Sequence, residues 1–195
     1  MILNEITTVP SEAIPVAAFS EHLHLGSGFS DDGAKDAVLE TYLRAAISAI
    51  EARSGMALFL RSFALGLYSW NNINGQPLPV SPVQSIQSMR LVSSVGVESL
   101  VQSDHYRLQK DGHRSRVLAT GISLPHLPHN GSVEIVLDAG FGPGWEDIPA
   151  DLRQGVLMLA AHHYENRNGK DAGHFPSGVL ALLEPYRAIR LGGAA

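Results

Sequence analysis

The feature that most constrains this chain is a change of hydrophobic period, made twice along its length. From Asp31 to Gly55 apolar residues recur at Ala34, Val38, Tyr42, Ala45, Ala49 and Ile50, the spacing of one face of a helix. Glu40, Arg44, Glu51 and Arg53 fall mostly elsewhere. Asp31 or Asp32 supplies a cap for the free N–H groups of the first turn, and Gly55 supplies a left-handed stop. From about Leu58 to Leu137 the helical period is lost. Short apolar pieces alternate with turn signals at Asn74-Gly75, Pro79, Pro82, Asp111-Gly112 and Asn130-Gly131. Helical spacing then returns at Leu152, Val156, Leu159, Ala160, His163 and Tyr164, and again at Val179, Leu182, Leu183 and Tyr186. Such a chain belongs to the α+β class. A long N-terminal helix and two C-terminal helices form a small bundle, with a β-rich segment inserted between them.

The boundaries follow from the same pattern. Residues 1–57 hold an arm and the long helix, residues 58–139 the β-rich insertion, and residues 140–195 the C-terminal helices and tail, which form one structural unit with the first helix. Within the arm, Ile2 to Gly28, Pro10 and Pro15 favour extended chain, and Ala17 to Leu25 reads as a short helix. Tyr106–Gln109 and Ser115–Ala119 flank Asp111-Gly112 and predict a hairpin. Val133, Ile135 and Leu137 alternate with Glu134, Val136 and Asp138, as in a strand with one buried face. Gly140 to Gly144 reads as a strand-to-helix turn. Pro149 suits a first helical turn, because its missing N–H would have no partner there. Asn168 and Gly169 close that helix. Pro176 opens the last one, and Pro185 ends or kinks it.

Composition narrows the function. The 195 residues include no cysteine, which removes disulfides, thiolate metal sites and cysteine nucleophiles. An intracellular site of synthesis fits this. The net charge is -5, from 14 Lys+Arg against 19 Asp+Glu, whereas a protein that grips phosphates usually carries a basic excess. The densest basic stretch, Lys110 to Arg116 with Arg114, is interrupted by Asp111 and Gly112. The start of the chain has no basic region followed by a long apolar run. The longest apolar run, Val156 to Ala161, is far below the ~20 residues that span a bilayer, so no membrane partner is expected.

The residues that bear chemistry form no catalytic set, and neither a cofactor nor a metal is expected. His162 and His163 are adjacent, about a quarter-turn apart, where a zinc-protease helix needs them four apart. Together with Glu165 they leave a metal site open. His22 with His24, and His126 with His129, lack a carboxylate or thiolate at motif spacing. Gly26-Ser27-Gly28 is not a nucleophile elbow, and no phosphate loop is present. Arg153, Glu165, Arg167 and Arg187 read as surface ion-pair residues, each pair contributing about 0–1 kcal/mol.

Four blocks in order carry a resemblance. The first runs through Glu12-Ala-Ile-Pro-Val16, Phe19-Ser-Glu-His-Leu23, Asp31-Asp32, Ala45-Ala46, Ile50-Glu51 and Ser54-Gly55. The second is Val133-Glu-Ile-Val-Leu-Asp-Ala-Gly-Phe-Gly142. The third is Ile148-Pro-Ala-Asp-Leu-Arg-Gln154 leading into Ala161-His-His-Tyr-Glu-Asn-Arg167. The fourth is Pro176-Ser-Gly-Val179, Leu182-Leu183 and Pro185-Tyr-Arg187. Their order and spacing resemble the head-tail connector (adaptor) proteins of tailed phages, in the subgroup with a β insertion. Adaptors of gene transfer agents are similar, and the blocks do not separate the two. The middle, Leu58 to Ala119, matches only loosely.

The resemblance implies a structural protein of the particle neck rather than an enzyme. Family members form a ring, commonly dodecameric, beneath the portal protein. They join the head to neck stopper or tail proteins and line the channel through which DNA passes without specific binding. Two alternatives stand beside this: a small metal-dependent α+β enzyme using His162, His163 and Glu165, or a neck stopper or tail terminator of the same particle. The C-terminal tail mixes Tyr186, Ile189 and Leu191 with Arg187 and Arg190 before Gly192-Gly193, a combination of apolar anchors and forked donors that suits an interface. The expectation is that these five residues dock on a neighbouring subunit or on the portal.

Overall fold

A computed structural model describes residues 1–25, 33–166 and 174–187. By contacts the chain divides into two units. One joins residues 1–8 to residues 59–141, and the other joins residues 9–58 to residues 142–195.

The first unit is built of antiparallel strands. Its larger sheet has the order β1 (Ile2–Glu5), β2 (Arg61–Leu67), β8 (Ser132–Ala139), β4 (Val83–Val92), β5 (Glu98–Leu100). A second sheet has the order β3 (Gly75–Pro77), β7 (Arg116–Ala119), β6 (Tyr106–Gln109). The alternation read in the sequence sets the core: Val133, Ile135, Leu137 and Ala139 are fully buried along β8, and Phe63, Leu65 and Leu67 are buried along β2. Register places Leu65 opposite Ile135 and Ile135 opposite Met89, so one apolar row crosses three central strands. The expected hairpin is present as β6 and β7, paired from Tyr106↔Ala119 to Gln109↔Arg116. Beyond β8 the chain turns at Gly140, whose φ of +133° few L residues adopt. A Cβ there would run into the Phe59 carbonyl, so glycine is required.

The second unit is helical: α1 (Val16–His22), α2 (Gly33–Ser54), α3 (Ala150–Glu165) and α4 (Ser177–Leu183). Helix α2 packs on α3, α3 on α4, and α1 on both α2 and α3. Gly55 ends α2 at φ +73° with its N–H on the Glu51 carbonyl, as its place after the periodic run predicts. Pro149 and Pro176 precede the first turns of α3 and α4.

Two expectations need correction. Helix α2 does not bury the track through Val38, Tyr42, Ala45 and Ala49. It buries Leu39, Leu43, Ala46, Ile47 and Ile50, while Val38 is 47% exposed and Tyr42 is half-buried, edge-on to Tyr164. Both tracks are apolar and lie about one residue's rotation apart. Burying leucines and isoleucines removes more apolar area from water than burying valine and alanines, at roughly 25 cal/mol per Å². Among the helical-face residues read from the sequence, Val156, Leu159, Val179 and Leu183 are buried and Leu182 is half-buried. Second, the extended start of the arm is itself a strand of the β unit. Ile2–Glu5 form β1 and pair with β2, and the short helix begins at Val16. Asp31, Asp32, Asn168 and Gly169 lie outside the described residues, as does the Ala34 side chain.

Candidate assembly interface

The tail expected to dock begins at a fixed point. After α4 a single 3-10 turn, Glu184–Tyr186, brings the Tyr186 hydroxyl to Asp151 in the first turn of α3, to which it donates at 2.8 Å. Partial burial, then this bond and the Asp151 charge, push the phenol up to about 12. Arg187 is exposed and pairs with Glu184 at 3.3 Å, not with Glu165. Ile189, Arg190, Leu191 and Arg167 lie outside the described residues. Arg153 pairs with Glu146.

The histidines stay scattered. The His162 and His163 rings are 6.1 Å apart, the His162 Nδ1 faces the Asn166 amide at 3.1 Å, and Glu165 is exposed. His22 ends α1, His24 follows in a left-handed turn, and His126 and His129 sit exposed on a loop of the other unit. Among the described residues no three His, Asp or Glu side chains could hold a metal ion.

The surface is uneven in polarity. Among the described residues, the exposed large apolar side chains of the β unit include Met1, Ile2, Leu3, Ile6, Tyr68 and Ile122, and the helical unit exposes only Val38. Tyr68 is 70% exposed and Ile122 95%. Scattered single residues of this kind are normal on a surface; Met1, Ile2, Leu3 and Ile6 are instead consecutive or nearly so along one stretch of chain. A groove of about 250 Å³ lies beside β1, lined by Met1, Leu67, Tyr68 and Gln76. The β6–β7 hairpin carries Arg107, Lys110, Arg114 and Arg116, all exposed. Its one acid, Asp111, accepts the backbone N–H groups of His113 and Arg114 at 2.8 and 2.9 Å, and these bonds hold its carboxyl below the usual range.

The larger sheet holds a polar cluster that sequence reading missed. Asp138 of β8 accepts from Ser62 of β2 at 2.8 Å and from Ser85 and Gln87 of β4, each at 2.7 Å. Burial alone would raise its carboxyl, but the bonds from Ser85, Gln87 and Ser62 outweigh that and hold it low. The carboxylate thereby pins three strands on the face opposite the apolar row. Only an acid alternating with buried residues hints at it in the sequence.

No family model matches the chain, and no curated protein matches it. Solved structures do. A chain in the neck of an empty gene transfer agent (GTA) particle, computed with C6 symmetry, is 48% identical, with a TM-score of 0.92 over 100% of this chain and 99% of that one. A chain of the virion of a native gene transfer agent particle is also 48% identical, with a TM-score of 0.89 and the same coverage. The chain belongs to the family of gene transfer agent neck proteins. A third relative, from the neck of a native particle computed with C12 symmetry, is 44% identical, with a TM-score of 0.86 and again 100% and 99% coverage.

As a neck protein the chain is a structural component of a phage-like particle, and the resemblance read in its four blocks is borne out. Those blocks map onto definite places in the fold. The first contains α1, whose Phe19 is fully buried, and most of α2; the second is β8 with its turn; the third and fourth are α3 and α4. The loosely matching middle forms most of the β unit, where the exposed apolar residues gather. No helix among the described residues is long and apolar enough to cross a membrane.

Proposed function

We propose that this neck protein is the head-to-tail adaptor of its particle. Copies form a closed ring, of twelve subunits when matched to a twelvefold portal. The ring sits beneath the portal, receives the neck stopper or tail proteins, and surrounds a channel through which DNA passes without specific binding. The observation that carries this reading is the full-length likeness to neck chains in maps computed with C6 and C12 symmetry. Contacts between identical subunits close into a ring when the rotation between them divides the circle. The net charge of -5 fits a channel that does not hold phosphates. In the same reading Tyr186, Arg187, Ile189, Arg190 and Leu191 attach the subunit to a neighbour or to the portal. The Tyr186–Asp151 bond supports it, because the segment beyond Arg187 then leaves from a held position.

A reconstruction of the assembled particle tests the placement: this chain should be traced as a ring between portal and tail. Its absence, or a single copy, would refute the reading. Deleting residues 188–195 should leave the melting curve unchanged and prevent stable attachment of tails to filled heads. Normal tailed particles from the deletion would remove the docking role.

A further inference from the structure

We propose that β1 is the strand through which one copy of this chain adds to the next; the inference rests on the ring reading above. Strand β1 lies at the end of the five-stranded sheet, with β2 on one side and, among the described residues, no strand on the other. Its backbone direction follows from the ladder. The Ile6 N–H donates to the Ser62 carbonyl at 2.8 Å, and the register sets Glu5 opposite Phe63 and Ile2 opposite Gly66. In an antiparallel pair the inward and outward residues alternate. Asn4 and Ile2 therefore turn their backbone groups toward β2, as Ile6 does. Leu3 and Glu5 turn theirs away, toward the open edge.

The side chains add to this. All four residues of β1 are exposed, and successive residues face opposite sides of the sheet. Ile2 at 51% and Ile6 at 53% stand on one face, and Leu3 at 37% on the other. An edge strand that meets only solvent usually carries lysine, proline or an outward charge that blocks further pairing. Met1 to Ile6 has neither lysine nor proline, and its one charged side chain, Glu5, is drawn back onto Arg61 of β2 at 2.9 Å. Open backbone groups with apolar side chains on both faces match the needs of an added strand.

The cyclic symmetry of the related necks selects the occupant. In a ring every subunit meets an identical neighbour on each side, through two different patches. Pairing of β1 with another β1 would close a two-fold dimer and stop there. The strand that joins β1 is therefore a different segment of the neighbouring copy.

A photo-reactive aromatic residue in place of Leu3, in assembled particles, tests this. The expected product is a crosslinked species of two copies of this chain, and the attached peptide identifies the acceptor. Crosslinks to the portal or to another neck protein, or none while the ring is seen by microscopy, would overturn the proposal and leave the ring reading standing. Absence of the ring itself would overturn both. In parallel, Leu3→Lys introduces a charge at the edge, and Leu3→Pro removes an outward N–H without touching the β1–β2 ladder. Both should retain the wild-type melting curve and lower the yield of tailed particles at least tenfold. Leu3→Lys decides the matter if Leu3→Pro fails to fold. Wild-type particle yield from a folded variant would refute the pairing.

Discussion

The hydroxyl of Tyr186 donates to Asp151 across 35 residues of chain, tying the end of the helical unit to the start of α3. Tyr186→Phe removes this bond and little else, and should cost about 1 kcal/mol in denaturant melts near neutral pH. The bond also has a pH signature. The folded phenol is raised to about 12, above the ~10 of an unfolded chain, so its contribution is fully present below pH ~10 and is lost as pH rises toward about 12. Stability measured between these values should fall more steeply for the wild type than for Tyr186→Phe. Equal slopes would mean that burial and the Asp151 bond together do not raise the phenol.

The buried track of α2 and α3 makes an opposite pair of predictions. Leu159 is fully buried, and Leu159→Ala should cost about 2–5 kcal/mol. Val38 is exposed, and Val38→Ala should change stability by less than about 0.5 kcal/mol. Urea melts of the two variants decide which face of the long helix meets the core. A large loss from Val38→Ala would restore the face expected from sequence.

Asp138 should set part of the acid limit of the fold. Its carboxyl is held below the unfolded value, so its contribution is present above pH ~4 and disappears as pH falls through the folded value. Asp138→Asn keeps the shape but removes the charge and turns one of the two acceptor oxygens into a donor. The variant should lose about 1–3 kcal/mol at neutral pH and show a shallower loss of stability in acid. Thermal melts from pH 7 to pH 3 test both effects.

Gly140→Ala should be among the most damaging small changes in the β unit. The left-handed φ and the contact with the Phe59 carbonyl act together, and strain at such a position costs about 1–3 kcal/mol before any clash is relieved. Gly55→Ala meets open space and carries only the conformational cost, so it should lose less. Comparison of the two melts checks the order.

What was legible in the sequence was whatever repeats within a short window. The inward row of β8, the β6–β7 hairpin, the stop at Gly55 and the starts of α3 and α4 each depend on spacing over a few residues. Those signals also carried the resemblance to head-tail connectors, because the four blocks coincide with helices and with one central strand. The sequence could not choose between two apolar tracks on α2, since local spacing describes both equally and only the facing helix distinguishes them. It could not join Ile2–Glu5 to β2, or Asp138 to Ser62 at 76 residues' distance, or Tyr186 to Asp151. Those relationships are set where distant segments compete to bury apolar area and to satisfy polar groups, and that competition is resolved only in the folded chain. The same holds for the open edge of β1: its residues read locally as an unremarkable arm, and only the sheet shows which of their backbone groups remain turned outward.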